Sequence, residues 1–229
     1  MINCFLEQLR TTYCPIQIPS GMNIAGCQML GFADSSLGNN TKYSQGGHLV
    51  LMTPNNEKHV GGKVFLLSSR SGKSKRVASS TMAAELLSSA SVVEEIMFLQ
   101  SWFHEIRHPH LSSLELVHAD PKSYLPADVF TDCDDAYQVL TRAAPPCSLT
   151  NKSLILHVSM LREAHDNGHV RHWGWCDTHQ MIANALTKLE ADGTLPSDDL
   201  NAMLCTNTFL VKTMYKIDGI QRMPLAVNS

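Results

Sequence analysis

A short apolar run that ends in an aspartate, QMLGFAD at residues 28–34, is the most informative stretch of this 229-residue chain. Apolar side chains at this density over so few residues are typical of a buried β-strand. The residues that follow, SSLGNN at 35–40, favour turns. The pattern therefore predicts a strand that carries Asp34 at its end, which is where folds of mixed strands and helices build their sites.

Two further strand candidates follow this run directly. They are rich in Val, Leu and Phe, span residues 44–52 and 60–69, and are separated by the turn-forming residues TPNN at 53–56. Three consecutive strands with short links predict an antiparallel meander.

Helical and strand-like patterns alternate in the rest of the chain. Apolar residues recur at three-to-four spacing from Ala83 to Met97, which predicts a long helix, whereas residues 106–125 look irregular. The later candidates are a strand that runs to Asp132, helices over 136–141 and 154–161, a strand over 170–175, a helix over 180–189, a short helix over 198–204 and a strand over 209–215. We therefore expect an α/β fold with a mixed five-stranded sheet, three antiparallel strands and then parallel strands, flanked by helices.

The length suits one well-packed domain with extra material at its ends. Residues 1–25 show no sustained period and are predicted to be a lead-in segment. Residues 26–190 are predicted to form the domain, and residues 191–229 a C-terminal extension.

Composition excludes several classes of protein. A hydrophobic content of 44% indicates a globular chain, and no apolar run approaches the roughly 20 residues that cross a bilayer. Glu7 stands where a signal peptide has its apolar core, so we expect an intracellular protein, cytoplasmic or nuclear, that is not secreted and has no membrane partner. Seven cysteines without a C-x-x-C pair are typical of reduced thiols, and the net charge of −3 means that any nucleic-acid contact must be local.

Three acidic residues occupy special places in the predicted elements. Asp34 and Asp132 end strands, and Glu85 lies early in the first helix. Two-metal phosphodiester hydrolysis needs carboxylates that converge on two cations about 4 Å apart, and Mg²⁺ prefers such oxygen ligands. Each acid taken singly is more often a turn residue or a helix cap, so the context decides between the two interpretations.

A series of short motifs surrounds these acids in a fixed order. They are GFAD at 31–34, SQGG at 44–47, SSR at 68–70, KSKRV at 73–77, SSTMAAE at 79–85, VFTDC at 129–133, a helix at 152–163 that ends in Arg-Glu, and IANALTK at 182–188. In this order they resemble the ribonuclease H domain of copia-type LTR retrotransposon Pol polyproteins, over about residues 26–190. The resemblance implies a ribonuclease H-like fold and cleavage of the RNA strand of RNA–DNA hybrids with Mg²⁺, or with Mn²⁺ in its place. It also implies a reverse-transcriptase domain of the parent polyprotein as partner, and no small-molecule cofactor.

The resemblance further implies a catalytic and metal-binding set of four residues, and one of them departs from the family. Asp34, Glu85 and Asp132 match its acids, whereas Asn184 stands where a fourth acid is expected. An amide oxygen can coordinate Mg²⁺ but carries no charge, so the weaker of the two metals should lose affinity. Either Asn184 marks a decaying element, or three carboxylates still support slower turnover. Asp177 and His179, on the same segment, either compensate in part or are ordinary surface residues.

Basic and small polar residues near the acids are candidates for nucleic-acid contact. The basic ones are Arg70, Lys73, Lys75 and Arg76, and the small polar ones are Ser35, Ser36, Asn39, Asn40, Ser80 and Thr81. Cations neutralise phosphates, and small polar groups read the 2′-hydroxyls of an RNA strand across a wide minor groove. For the basic residues, a solvated turn is the alternative.

A group of zinc-type ligands lies late in the chain: His165, His169, His172, Cys176 and His179. His169 and His172 are three residues apart, so a strand would turn them to opposite faces, and no paired cysteines support them. Zinc is therefore not the preferred interpretation. Trp173 and Trp175 share a strand face and are predicted to be core residues rather than base-stacking platforms.

Three functions stay open at this point. The first is a hydrolase of the ribonuclease H type. The second is a catalytically weakened or inactive remnant that binds hybrid or structured RNA through the same groove. The third is a structural remnant that is stable only beside missing parts of a polyprotein.

Overall fold

A computed structural model describes residues 19–37, 44–56, 60–74, 78, 80–141, 152–187, 198–213 and 215–222. Within these ranges the strands are β1 (Cys27–Ser36), β2 (Gln45–Pro54), β3 (Gly61–Lys63), β4 (Phe65–Lys73), β5 (Ala127–Thr131), β6 (His172–Cys176), β7 (Thr208–Leu210), β8 (Tyr215–Ile217) and β9 (Ile220–Arg222). The α-helices are α1 (Thr81–Arg107), α2 (Ser113–Val117), α3 (Asp134–Thr141), α4 (Lys152–Asp166) and α5 (Asp198–Thr206). Short 3₁₀ turns occupy Ile24–Gly26, Pro121–Ser123, Thr178–Gln180 and Ile182–Leu186. No helix in these ranges combines the length and the apolarity needed to cross a membrane.

The main sheet has seven strands in the order β4-β2-β1-β5-β6-β8-β9. The pairs β1–β2 and β2–β4 are antiparallel, whereas β1–β5 and β5–β6 are parallel. The predicted mixed sheet, with antiparallel strands followed by parallel ones and with flanking helices, is confirmed.

The tail adds two strands that the sequence did not predict in this sheet. β8 pairs antiparallel with β6, and β9 pairs with β8 through a tight turn at Asp218 and Gly219, both of which have positive φ. Positive φ at both turn residues is what a type I′ two-residue hairpin turn requires. The third predicted strand is divided, because β3 leaves the main sheet and pairs with β7.

Each face of the main sheet is covered by a hydrophobic core. The core under α1 includes Met29, Val50, Ile96, Val129 and Leu161. The opposite core includes Leu30, Phe32, Phe130, Leu186 and Tyr215. Met29 and Leu30 are neighbours in β1 and enter different cores, as the two-residue period of a strand requires. Helix α1 lies close to β1 because Gly31 has no side chain: a Cβ there would lie 2.9 Å from Cδ1 of Ile96.

The predicted helix over residues 180–189 is wrong as far as Thr187, where the described part of this segment ends. The segment forms 3₁₀ turns at Thr178–Gln180 and Ile182–Leu186 instead. Its carbonyl groups bond to the sheet: the hydroxyl of Ser71 donates to the Leu186 oxygen at 2.6 Å, and that of Ser36 donates to the Thr187 oxygen at 2.9 Å. These tertiary bonds satisfy two carbonyl groups that a helix ending at residue 189 would have left without an internal partner.

Candidate metal centre

The side chains of Asp34, Glu85 and Asp132 converge at one end of the sheet. Asp34 is near the carboxyl end of β1, Asp132 directly follows β5, and these strands are parallel neighbours. Glu85 comes from the second turn of α1. One carboxylate oxygen from each residue lies within 4.8 Å of the other two, and no other group of three or more such ligands occurs in the described ranges. Residues 34, 85 and 132 thus meet although they are far apart in sequence.

Hydrogen bonds of α1 decide how Glu85 reaches this point. Ser80 caps the helix, and its hydroxyl accepts from the Ala83 amide at 3.1 Å. One turn after Glu85, the hydroxyl of Ser88 contacts two strands, at 2.9 Å from the Asp34 carbonyl oxygen and 3.1 Å from that of Gly47. The start of α1 is therefore tied to β1 and β2, and Glu85 is held above their ends.

Glu85 is buried among charges of its own sign. Its Oε1 accepts two hydrogen bonds from Ser35, from the amide at 3.0 Å and from the hydroxyl at 2.9 Å. Burial, and then the negative charges of Asp34 and Asp132, raise the pKa of Glu85 to about 8, although the Ser35 bonds oppose the shift. At neutral pH the metal-free protein therefore keeps a proton on Glu85.

The chemistry of the three carboxylates and the repulsion between them indicate which kind of metal ion the residues fit. Three converging carboxylates offer only oxygen atoms, which are the ligands of Mg²⁺ and Mn²⁺. A divalent cation would neutralise the repulsion that, together with the larger effect of burial, raises the pKa of Glu85, and its binding would release that proton. The donor set therefore fits a hard divalent cation.

Asn184 lies on the segment that follows β6, and this segment contacts two of the three acids. The amide nitrogen of Asn184 donates to the Thr178 carbonyl oxygen at 2.5 Å. The Thr178 hydroxyl donates to Oδ2 of Asp132 at 2.8 Å, and the Thr187 hydroxyl donates to Oδ2 of Asp34. The structure thus places Asn184 on a segment that is hydrogen-bonded to the acidic cluster.

The segment that carries Asn184 packs against β2 at a glycine, Gly47. A Cβ on Gly47 would lie 2.7 Å from Cβ of Leu186 and 2.7 Å from Cγ2 of Thr187. The second glycine of the SQGG motif at 44–47 is therefore required sterically, because β2 can carry no side chain where residues 186 and 187 cross it. Thr187 enters the sequence resemblance only as part of the IANALTK motif, and Thr178 lies in none of the quoted motifs, because a lone threonine carries no signal of its partner.

The small polar candidates for nucleic-acid contact divide into two groups. Ser35, Ser36 and Ser80 are engaged within the protein, with Glu85, with the Thr187 carbonyl and as the cap of α1. Thr81 is exposed at the start of α1. The remaining candidates, Asn39, Asn40, Lys75 and Arg76, lie outside the described residues.

Arg70 and Lys73 are exposed on β4 and line a cleft of about 650 Å³. The cleft lies between the β2–β4 edge of the sheet and helices α1 and α4, and Ser88 forms part of its wall. No side chains project into the cleft where Gly46 of β2 pairs with Gly72 of β4, because both residues are glycines. Ser88 also bonds the backbone carbonyl of Asp34, so one residue of the cleft wall contacts the strand that carries Asp34.

The zinc-type ligands and the tryptophans have separate surroundings. Nδ1 of His169 is 3.0 Å from Oε1 of Gln100, and His172 pairs with Asp218. Trp173 is buried and Trp175 packs against the same core, which confirms the predicted core role. The indole nitrogen of Trp175 also donates to the Asp132 carbonyl oxygen at 2.9 Å, so this side chain helps to hold the backbone of an acid.

Asp177 and His179 flank Thr178 and are not among the three acids that converge. The Asp177 side chain caps the turn at Thr178–Gln180 and accepts from the His179 amide at 2.9 Å. The His179 side chain is exposed. Asp177 therefore has a structural role as a cap.

Neither a protein-family model nor a curated protein matches the chain. Among solved structures, it is similar to the N-terminal RNase H domain of rv2228c from Mycobacterium tuberculosis, at 12% identity and a TM-score of 0.46, over 70% of this chain and 90% of that one. It is also similar to LC11-RNase H1, isolated from compost by a metagenomic approach, at 12% identity and a TM-score of 0.37, over 62% of this chain and 80% of that one. At these similarities the neighbours do not define the chemistry of this chain.

Proposed function

We propose that this chain is a ribonuclease H-type endonuclease that cleaves the RNA strand of RNA–DNA hybrids with Mg²⁺ or Mn²⁺. The observation that supports it most is the convergence of Asp34, Glu85 and Asp132 within 4.8 Å at the end of parallel strands. Two cations held there would polarise the scissile phosphate and activate water. The proposed ligands are these three acids and Asn184.

The proposed roles of the four residues differ because their surroundings differ. Glu85 would hold the cation as a carboxylate, after losing the proton that burial and its acidic neighbours favour by raising its pKa. Asp34 and Asp132 accept hydrogen bonds from threonine hydroxyls, which would keep both carboxylates oriented to hold a cation. Asn184 would add an uncharged oxygen, so a second cation would be held more weakly and turnover would be lower.

The proposed path of the hybrid runs from the acidic cluster towards the cleft beside Ser88. Arg70 and Lys73 would neutralise phosphates there, and Thr81 would face the minor groove at the start of α1. A chain with a net charge of −3 has to bind nucleic acid through such a local patch. The other residues proposed for nucleic-acid contact from the sequence are Ser35, Ser36 and Ser80, and Asn39, Lys75 and Arg76 outside the described residues.

The proposed origin is a copia-type retroelement, and the proposed protein partner is the reverse-transcriptase domain of its polyprotein. Both follow from the ordered motifs at residues 31–34, 79–85 and 182–188. The proposed compartment is the cytoplasm or the nucleus.

A second candidate function is a module that binds hybrids without cleaving them. The observation that favours it is Asn184, which removes one negative charge from the ligand set. This module would bind hybrids in a salt-sensitive manner and would need no metal.

A cleavage assay on a labelled RNA–DNA hybrid separates the two. The arms are Mg²⁺, Mn²⁺ and EDTA, with duplex DNA and duplex RNA as other substrates. We expect metal-dependent cleavage of the hybrid alone, its loss in Asp132→Asn, and its retention in Asp166→Asn, a control at an exposed carboxylate on α4. Hybrid binding without Asp132-dependent cleavage under either metal would refute the enzyme and favour the binding module.

A further inference from the structure

Two threonines outside the ligand set donate hydrogen bonds to two of the three acids. The Thr178 hydroxyl is 2.8 Å from Oδ2 of Asp132, and the Thr187 hydroxyl contacts Oδ2 of Asp34. Both threonines belong to the segment after β6, whereas the acids follow or end the neighbouring strands β5 and β1. One segment therefore reaches both strand ends.

A hydrogen bond to one carboxylate oxygen restricts the rotation of the whole group. Carboxylates that bind metals are commonly oriented in this way by outer partners, and loss of such a partner weakens metal binding about 10- to 100-fold. A hydroxyl can donate its single hydrogen in only one direction at a time, so each threonine selects one orientation of its acid.

Thr187 is itself held firmly, and its hydroxyl lies nearer to Oδ2 of Asp34 than to its other acceptor, the Asn184 carbonyl oxygen at 3.4 Å. Its side chain is buried, with 3% exposed, and its carbonyl oxygen accepts from Ser36 at 2.9 Å. The adjoining Leu186 oxygen accepts from Ser71 at 2.6 Å. Gly47 leaves the space that both residues occupy.

Thr178 is exposed, and Asn184 anchors its backbone. The amide nitrogen of Asn184 donates to the Thr178 carbonyl oxygen at 2.5 Å. A carboxylate at this position has no hydrogen to donate and would turn lone pairs towards that oxygen. The amide thus suits this contact better than the acid expected from the sequence resemblance.

We propose that Thr178 and Thr187 are positioning residues that orient Asp132 and Asp34 for the cation, and that Asn184 steadies Thr178. This inference rests on the proposed metal site at Asp34, Glu85 and Asp132. It assigns Asn184 a role that is independent of whether its own oxygen contacts a cation.

Mn²⁺ binding, measured by calorimetry on the full chain, tests the inference without any catalytic readout. Thr178→Val and Thr187→Val remove the hydroxyls at nearly constant shape, and Thr178→Ser and Thr187→Ser retain them. We expect about 10- to 100-fold weaker binding for each valine variant, and near wild-type binding for each serine variant. The matched control is Thr141→Val, which removes a hydroxyl that donates to the Tyr137 oxygen of its own helix at 2.9 Å.

Melting temperatures in EDTA separate positioning from folding. Thr178 is exposed, so Thr178→Val should melt with the wild type in EDTA while it binds Mn²⁺ more weakly. Valine variants that bind Mn²⁺ as tightly as the wild type would overturn the inference and leave the proposed function intact. Serine variants that bind as weakly as the valine variants would overturn it as well. If Asp132→Asn bound Mn²⁺ as tightly as the wild type, the proposed metal site would be refuted, and the positioning role with it.

Discussion

Replacing Glu85 with glutamine should stabilise the metal-free protein, and increasingly so as the pH rises. The Glu85 side chain has 2% of its surface exposed, and its Oε1 accepts both bonds from Ser35. A glutamine can keep that acceptor and place an amide group towards the acids, where it donates instead of repelling. The substitution thus removes the buried charge but preserves the contacts that hold the side chain.

The size of the effect follows from the pKa of Glu85, which rises from 4.5 to about 8 on folding. Between these values the folded chain binds a proton at Glu85 that the unfolded chain does not, so the free energy of unfolding falls as the pH increases. Each pH step costs about 1.4 kcal/mol, and the whole window about 5 kcal/mol. This stabilisation is complete below pH 4.5 and is lost as the pH rises through about 8. Glutamine does not titrate, so Glu85→Gln has no such slope.

Urea unfolding in EDTA at pH 5, 6, 7 and 8 measures this difference. We expect the free energy of unfolding of Glu85→Gln to gain on the wild type by about 1.4 kcal/mol per pH unit. Glu105→Gln, on the exposed face of the same helix, controls for the exchange of a carboxylate for an amide. If the free energies of unfolding of the wild type and Glu85→Gln changed in parallel with pH, the raised pKa of Glu85 would be refuted.

Added Mg²⁺ should narrow the stability difference between the two proteins. A ligand that binds only the folded state at 100 times its dissociation constant stabilises it by about 2.7 kcal/mol. The wild type should gain this stability, whereas Glu85→Gln should gain much less because it has lost one ligand charge. Equal gains for both proteins would show that Glu85 does not contact the cation.

Two further predictions concern the ligand set and the nucleic-acid face. Asn184→Asp should lower the Mg²⁺ concentration needed for half-maximal cleavage, because a negative charge about 4 Å from a cation stabilises it by about 4 kcal/mol, whereas the lost hydrogen bond to Thr178 costs only roughly 1 kcal/mol. An unchanged Mg²⁺ titration would contradict the placement of Asn184 as the fourth ligand. The double variant Arg70→Ala/Lys73→Ala should weaken hybrid binding and reduce its salt dependence by up to about two phosphate contacts, whereas Lys63→Ala, an exposed control on β3, should not; filter binding at several salt concentrations measures both, and an unchanged slope would exclude the cleft from the binding face.

Much of the architecture could be predicted from local pattern alone. The apolar density of β1 and β5 and the three-to-four period of α1 are properties of contiguous residues, and each of these elements is present. The mixed sheet followed from the order of the elements, because short links favour antiparallel neighbours and helical crossovers favour parallel ones. The positions of Asp34, Glu85 and Asp132 on these elements followed in the same way.

The errors occur where distant residues compete with local preference. Residues 182–186 have the composition of a helix but form a 3₁₀ turn, whose end packs against Gly47 and accepts hydrogen bonds from Ser36 and Ser71 at the Thr187 and Leu186 carbonyl groups. The predicted strand at 60–69 is divided because β3 finds its partner in β7, about 150 residues later. Neither partner can be identified from the sequence around the element that it alters.

The sequence by itself determined which residues could form a metal site, since their chemical type and their places on strands and a helix are local properties. Only the tertiary structure decided that Asp34 and Asp132 accept hydrogen bonds from Thr187 and Thr178, and that the pKa of Glu85 rises to about 8. The physical reason is that burial, Coulomb repulsion and hydrogen bonding depend on distances in space. The groups concerned are separated by 46 residues between Asp132 and Thr178, and by 153 between Asp34 and Thr187.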